Sequence, residues 1–131
     1  MVRPKNQHPT PAELEVLQIL WDRGESSVRD VLDVLDQHKK RAYTSVMSLL
    51  NVMTEKKLVK RRPQGRAFLY SARLPKDKTL RHMVGDIVGR AFDGSAASLV
   101  THLLDQTRPT HEELEIIRRA IDQYEQAEGD E

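Results

Sequence analysis

The chain has 131 residues, of which 38% are hydrophobic and 31% charged, a balance typical of a globular protein with a modest core. It contains no cysteine, which excludes disulfide bonds, a thiol nucleophile and thiolate-bound metal. The net charge is only +1, but residues 1–74 hold 14 Lys and Arg against 8 Asp and Glu, whereas residues 75–131 hold 7 against 12. This asymmetry indicates a basic head that faces a polyanion, although an unevenly charged solvated surface would give the same counts.

The first residues carry two cations with no apolar stretch behind them, so a secretory signal does not fit. No run of about 18 apolar residues is present to span a membrane. We therefore expect a cytoplasmic protein with no membrane partner.

Three helices are predicted in the first half of the chain. Thr10, Pro11 and Glu13 form a capping-box signature that opens the first helix, and Gly24 ends it. The second helix spans residues 28–36 and follows a serine cap, because Val28, Val31, Leu32 and Leu35 repeat at helical spacing. After a basic connector, a third helix is expected over residues 42–57. Its buried stripe should be Ala42, Val46, Leu49, Leu50 and Met53.

Two strands and three more helices complete the prediction. The strands span residues 58–62 and 67–71 around a turn at Pro63-Gln64-Gly65. The helices span 76–92, 95–106 and 110–127, with Ser95 and Thr110 as caps. The fold class is therefore mostly α with a small β-hairpin. We expect a winged helix-turn-helix head over residues 8–74 that binds DNA, and a helical dimerisation tail over residues 75–127.

The outward face of the third helix carries hydroxyl, amide and apolar side chains but no acid. These residues are Tyr43, Thr44, Ser45, Met47, Ser48 and Asn51. Such a face can approach phosphates without repulsion and can offer hydrogen bonds and apolar contacts to base edges. Candidate contacts to the DNA backbone or minor groove lie beside this face, at the helix start and on the hairpin: Arg41, Arg61, Arg62, Gln64 and Arg66.

Each of these features also has an ordinary structural explanation. A polar outer face is common on surface helices, and Lys56 and Lys57 would equally oppose the helix dipole. Arg61 and Arg62 would equally protect an edge strand from aggregation. The DNA interpretation is favoured because three features coincide on one stretch. Residues 37–73 hold 10 Lys and Arg against one acid, the third helix has an uncharged outward face, and the elements follow the order helix–helix–helix–hairpin.

The tail holds more apolar residues than three short helices can bury alone, which predicts a second copy of the chain as partner. Packing of these helices onto the head is the alternative. The expected dimerisation residues are Ile87, Val88, Phe92, Leu99, Val100, Leu103, Leu104, Ile117 and Ile121.

No motif for catalysis or cofactor binding is present. There is no Ser/His/Asp arrangement in a recognisable context, no glycine-rich loop before a helix and no His-Glu-x-x-His. We therefore expect no enzyme, no cofactor and no metal. A metal or pH site formed by His102 and His111 is the alternative, but isolated surface or interface histidines are the simpler interpretation. A winged-helix protein-interaction adaptor without sequence-specific DNA binding is the alternative function.

Four sequence blocks stand out, and two of them, AYTSV and FDGS, are fairly specific together. They are TPAELEVL at 10–17 with LW at 20–21, SVRDV at 27–31, AYTSV at 42–46 with LL at 49–50, and FDGS at 92–95 with LV at 99–100. Through these blocks the chain resembles the penicillinase-repressor (BlaI/MecI/CopY) family of winged-helix regulators over residues 10–125. The resemblance implies a homodimer that binds two-fold symmetric operator DNA and represses transcription. It also implies that Thr44, Ser45, Met47 and Ser48 contact DNA.

Some positions depart from that family's pattern. Val52 stands where members often carry a basic residue, and Leu58 where a glycine helps to end the helix. Family members that control antibiotic resistance are inactivated when an Asn-Phe bond in the tail is cleaved. The corresponding position here is His102-Leu103. Copper-responsive members hold metal through cysteines that this chain lacks. Release by that cut and by copper is therefore not expected. A protease or another signal that disrupts the tail is the predicted partner for release, and its identity stays open.

Overall fold

The computed structural model of the protein describes residues 8–129, which contain six helices and one antiparallel hairpin. In chain order the elements are α1 (Pro11–Arg23), α2 (Val28–Asp36), α3 (Tyr43–Glu55), β1 (Val59–Gln64), β2 (Ala67–Ala72), α4 (Lys76–Ala91), α5 (Ala96–Thr107) and α6 (His111–Gly129). The chain divides into two compact units, one ending at Gly85 and the other beginning at Asp86. Within residues 8–129 no helix is both long enough and apolar enough to cross a membrane.

The predicted caps of α1 and α2 are confirmed. The Thr10 hydroxyl accepts a hydrogen bond from the Glu13 N–H at 3.2 Å, and the Glu13 carboxylate accepts one from the Thr10 N–H at 2.9 Å. Ser27 and Asp30 form the same reciprocal box at the start of α2. Gly24 follows α1 with φ 86°, a backbone conformation that glycine adopts without strain. Both helices therefore begin and end where local hydrogen bonding predicts.

The start and end of α3 differ from the prediction. Ala42 is an exposed N-cap residue in extended conformation, so its expected burial is wrong, whereas Val46, Leu50 and Met53 are buried. The helix ends at Glu55 rather than at residue 57, because the chain turns back at Lys57 with φ 67°. There the Lys57 N–H bonds to Thr54 O and the Leu58 N–H to Met53 O, the pattern of a Schellman motif.

The hairpin turn lies two residues later than predicted. Pro63 and Gln64 belong to β1, where they pair with Phe68 and Ala67, and the turn consists of Gly65 and Arg66. Gly65 has φ 63°, which suits the first position of a two-residue hairpin loop. Proline is tolerated in β1 because an edge strand does not require every N–H for the ladder.

The core of the first unit is formed by α1, α2, α3 and one face of the hairpin. Its buried hydrophobic residues are Val16, Leu17, Ile19, Leu20, Val28, Val31, Leu32, Leu35, Val46, Leu50, Met53, Val59 and Tyr70. Full burial of one such side chain contributes about 1.5–3 kcal/mol. Trp21 packs against this core, and its indole N–H donates to the Leu74 carbonyl at 3.0 Å.

Two further contacts fix the loops and helix ends around this core. Ser26, between α1 and α2, exchanges two backbone hydrogen bonds with Tyr70 of β2, at 2.9 and 2.7 Å. The Lys56 ammonium lies 2.9 and 3.0 Å from the two oxygens of Glu13, a carboxylate that is 2% exposed. This ion pair links the start of α1 to the end of α3.

In the second unit, the predicted caps Ser95 and Thr110 open α5 and α6. Each hydroxyl accepts a hydrogen bond from the backbone N–H three residues later, at 3.0 Å and 3.1 Å. The helix bounds lie within about two residues of those predicted, which is the usual uncertainty of helix ends. None of the described residues 86–129 is buried.

Candidate nucleic-acid interface

The outward side of α3 presents all six predicted reading residues at the surface. Val46, Leu50 and Met53 anchor the opposite side in the core, so helical geometry turns Thr44, Ser48 and their neighbours outward. Tyr43 and Met47 are also exposed, as is Val52 one turn beyond Ser48. The resulting face carries hydroxyl, amide and apolar groups without any carboxylate before Glu55.

Arg61 joins the hairpin to this face. Its Nη1 atom donates a hydrogen bond to Asn51 Oδ1 at 3.2 Å. Its guanidinium carbon lies 4.3 Å from the centroid of the Phe68 ring, within the range of a cation–π contact. Two of the predicted contact residues, Asn51 and Arg61, therefore lie side by side, and Arg61 is held in place by a ring from the neighbouring strand.

Arg62 projects from the other face of β1, because side chains alternate along a strand. Its Nε and Nη2 atoms bind the two oxygens of Glu25 at 2.7 and 2.8 Å. The hydrogen bond from Arg62 lowers the pKa of Glu25, and the same hydrogen bond raises the pKa of Arg62. Arg61 and Arg62 are thus neighbours in sequence with different partners.

Arg41 lies just before α3 and pairs with α1. Its Nη2 atom is 3.3 Å from Glu15 Oε1, and its backbone N–H donates to Asp36 Oδ1 at 2.8 Å. The Arg41 side chain is therefore half-buried rather than extended into solvent.

Gln64 and Arg66 lie at the tip of the hairpin, and both are exposed. Arg66 makes no ion pair with any residue between 8 and 129. Among the four predicted arginines it is the one whose guanidinium has no partner in that part of the chain.

Sequence reasoning missed Arg29 and Glu25. The Arg29 guanidinium lies 5.3 Å from the centroid of the Tyr43 ring, so α2 supports a side chain at the start of α3. Glu25 shares a surface hollow with Lys60, Arg61, Arg62 and Ser71. Both contacts join residues that are far apart in sequence, and no local spacing pattern signals them.

His102, in the second unit, has ordinary partners. His102 Nδ1 lies 2.9 Å from the Ser98 carbonyl oxygen, and its ring meets Phe92 edge-on at a centroid distance of 5.1 Å. Over residues 8–129 no three His, Asp or Glu side chains cluster closely enough to hold a metal ion.

The nine predicted dimerisation residues are all accessible to some degree. Ile87, Val100, Leu103 and Ile121 are between 41% and 52% exposed. The remaining five are half-buried: Val88, Phe92, Leu99, Leu104 and Ile117. Ile116 and Tyr124 on α6 are exposed as well. The second unit therefore displays apolar side chains that its own helices do not cover.

Comparison with known proteins gives one consistent family. The family model described as Penicillinase repressor matches residues 9–123. The transcriptional regulator BlaI of Mycobacterium tuberculosis is 30% identical over 119 residues, which cover 89% of this chain and 85% of that protein. The penicillinase repressor of Bacillus licheniformis is 19% identical over 113 residues, covering 86% of this chain and 88% of that protein.

A solved structure shares the fold of the first unit. The solution structure of the DNA binding domain of the repressor BlaI matches with a TM-score of 0.50 at 20% identity, covering 56% of this chain and 90% of that chain. This match confirms the expected winged-helix fold. The family model spans most of the sequence, and the similarity to the mycobacterial relative covers most of both chains. The resemblance seen in the sequence blocks is therefore confirmed. The protein belongs to the penicillinase repressor family and is a transcriptional repressor, not an enzyme.

Proposed function

We propose that the protein represses transcription by binding a two-fold symmetric DNA operator as a homodimer. The observation that carries this proposal is the exposed, acid-free face of α3 beside a basic hairpin. In a winged helix, this third helix is the element that enters the major groove. The solved structure that shares this fold is that of a DNA-binding domain, which supports the same use here.

The α3 face supplies the groups that read base edges. Thr44, Ser45, Ser48 and Asn51 can donate and accept hydrogen bonds in the major groove, and Met47 can contact a thymine methyl group. Tyr43 lies in the first turn of α3, where its ring makes a cation–π contact with Arg29. These side chains would determine which sequence is bound.

The arginines before α3 and on the two faces of the hairpin would supply contacts to the phosphates. Arg61, beside Asn51, and Arg66, at the hairpin tip, are the nearest candidates, with Arg41 before α3, and Arg62 and Gln64 on the hairpin. Each phosphate neutralised releases condensed counterions, so these contacts raise affinity for every sequence and make it sensitive to salt. They would fix the position of the repressor on the duplex without selecting its sequence.

The apolar surface of the second unit supports the homodimer. Residues 86–129 bury no side chain, although Ile87, Val100, Leu103 and Ile121 are apolar and roughly half exposed. A second copy would cover such residues, and closed two-fold dimers are the commonest assembly. In this proposal residues 8–74 bind DNA and residues 75–127 dimerise, so the two reading helices lie about one or more turns of DNA apart, roughly 34–36 Å per turn.

The proposed dimer also gives a means of release. A protease or another signal that disrupts the dimerisation residues would separate the two DNA-binding heads, and the repressor would leave its operator. As a DNA-binding regulator, the protein would act in the cytoplasm.

Genome-wide capture of bound DNA tests the proposal, because it identifies the operator and shows whether it is two-fold symmetric. The captured site and a scrambled duplex are then compared in mobility-shift assays, with the oligomeric state measured by light scattering. Ser48→Ala should cost about 1–3 kcal/mol mainly on the captured site. Arg66→Ala should weaken binding to both duplexes and reduce the salt slope by about 0.9 per lost phosphate contact. A monomer that binds both duplexes equally would refute the proposal, and absence of salt-dependent binding would favour a protein-interaction adaptor.

A further inference from the structure

Glu25 occupies the Nε/Nη2 edge of the Arg62 guanidinium, one of the two edges through which an arginine can bind a phosphate with a pair of N–H groups. Arg62 uses Nε and Nη2 together to hold the two Glu25 oxygens at 2.7 and 2.8 Å. The same pair of N–H groups forms the fork with which arginine binds a carboxylate or a phosphate in bidentate fashion. An Arg62 side chain that holds Glu25 therefore cannot bind a phosphate in this way at the same time.

The position of Glu25 is fixed by its neighbours on both sides. Gly24 closes α1 through its N–H bond to the Leu20 carbonyl, and Ser26 is bonded twice to Tyr70 of β2. The loop is thus joined to the hairpin that carries Arg62, so Glu25 faces that arginine because of the backbone as well as the side-chain contact. The backbone thus places Glu25 against Arg62, whereas an acid elsewhere on the surface has no such constraint.

The surroundings of the pair are basic. Lys60 and Ser71 share the hollow with Glu25 and Arg62, and Lys60 also lowers the pKa of the Glu25 carboxyl, after the larger effects of Arg62. Without the Glu25 carboxylate, this face of the hairpin would present an ammonium, a guanidinium and a hydroxyl group together.

We propose that the Glu25 carboxylate competes with a DNA phosphate for the Arg62 guanidinium. Glu25 holds Arg62 until DNA displaces the carboxylate, and this competition sets the affinity and the salt dependence of the repressor. The inference rests on the proposed function and adds a residue outside the predicted contact set. The competition is reversible, because the Glu25 and Arg62 side chains are 35% and 58% exposed and a solvent-exposed pair is weak. Glu25 therefore lowers the affinity without preventing binding.

The charge balance gives a measurable consequence. In the wild type, Arg62 brings one positive charge to the DNA and Glu25 brings one negative charge with it. In Glu25→Gln the positive charge remains alone. The variant should therefore bind a mixed-sequence duplex about two- to fivefold more tightly for each head bound. The slope of log affinity against log salt should steepen by about 0.9 for each head.

The experiment uses the full-length protein and a fluorescently labelled mixed-sequence duplex, titrated by anisotropy at several KCl concentrations. Asp33→Asn is the matched control, because it removes one exposed negative charge from α2, and Asp33 has no arginine partner between residues 8 and 129. The Glu25→Gln gain should exceed the control's gain. In an Arg62→Ala background, Glu25→Gln should gain no more than Asp33→Asn.

The outcomes separate this inference from the proposed function. If the wild type binds the duplex and Glu25→Gln binds equally, Glu25 has no effect on DNA binding; if Glu25→Gln binds more weakly, Glu25 positions Arg62 for DNA. Either result refutes the competition while the proposed function stands. If neither the wild type nor Glu25→Gln binds DNA, both the proposed function and the inference are refuted. Circular dichroism confirms that each variant is folded.

Discussion

Glu13 both closes the α1 capping box and binds the Lys56 ammonium. The carboxylate is 2% exposed, and its partners are the Thr10 N–H and Lys56 Nζ. Removing the cation from a buried carboxylate destabilises the folded protein by more than the intact ion pair stabilises it, because the desolvation of the carboxylate is no longer compensated. At this residue, helix capping and the packing of α1 near α3 depend on one another.

Lys56→Met should therefore destabilise the protein. We expect a loss of about 1–3 kcal/mol in the free energy of unfolding, below the range for a fully buried pair because the Lys56 side chain is 26% exposed. Urea denaturation measures the change. Glu13→Gln combined with Lys56→Met should recover part of the loss. The control Lys57→Met removes the neighbouring exposed charge and should stay within about 0.5 kcal/mol of the wild type. A Lys56→Met protein as stable as the wild type would contradict the coupling.

Asp30 makes the stability of α2 dependent on pH. The backbone N–H of Ser27, followed by the Ser27 side chain, lowers the pKa of Asp30 from its ordinary value of 3.8. A lowered pKa in the folded state stabilises the protein above the ordinary value, and this contribution is lost as pH falls through the folded-state pKa. The wild type should thus be more stable than Asp30→Asn near neutral pH, and the difference should shrink as pH falls below 3.8. Urea unfolding at a series of pH values checks this, and a difference that stays constant would rule it out.

The end of α3 shows how an element can stop without a glycine. Lys57 adopts φ 67°, and the two hydrogen bonds of the Schellman motif satisfy carbonyls that the helix leaves unpaired. The left-handed conformation is unfavourable for a residue with a Cβ atom. Leu58 packs against the core, and this packing holds the chain in the turn.

Lys57→Gly should relieve that strain. We expect the free energy of unfolding to rise by about 0.5–1 kcal/mol, since glycine adopts positive φ without steric cost but loses more entropy on folding. Lys56→Gly is the opposite control, because Lys56 has φ −75° and also binds Glu13, so the variant should be less stable than the wild type. Thermal unfolding of both variants gives the comparison. A decrease in stability for Lys57→Gly would show that the turn is not strained.

Sequence reasoning succeeded for elements whose signals are local. The Thr10–Glu13 and Ser27–Asp30 boxes lie within one helical turn, so α1 and α2 could be placed from residue spacing alone. It failed at Ala42 and at the hairpin turn, because a small apolar residue fits both a helix and a cap, and Pro63 indicates a turn as readily as an edge strand. For the candidate site, the exposed α3 face followed from helical periodicity. The pairing of Arg62 with Glu25 and of Arg41 with Glu15 could not be predicted, because these contacts depend on tertiary packing.

At the scale of the whole molecule, affinity should depend on residues far from the α3 face. Two heads joined in a dimer bind two half-sites with a high effective concentration, which can raise avidity by about 10²–10⁴-fold over one head. A change that separates the dimer loses this factor without altering any residue of the first unit. In the proposed repressor, the exposed apolar residues of α5 and α6 thus control DNA binding indirectly.

Leu103→Asp tests this dependence. Leu103 is 48% exposed on α5, and a carboxylate in an apolar interface without a cation is costly. The variant should be monomeric by light scattering and should lose a large part of the avidity factor on the captured operator. Gln106→Asp places the same charge on an exposed position of the same helix and should remain a dimer. A monomeric Leu103→Asp protein that binds operator as tightly as the wild type would refute dimer-dependent repression.

The hydrogen bond from Trp21 to the Leu74 carbonyl makes tryptophan fluorescence an intrinsic probe of this protein. Trp21 is the chain's single tryptophan, and its indole N–H bonds to the segment that connects the hairpin with α4. Its emission therefore responds to the polarity and hydrogen bonding of that one junction. Nucleic acid bases do not emit in the same range, so the junction can be followed while DNA or an inducing signal is added. The connection between the hairpin and α4 can thus be observed in the unlabelled protein.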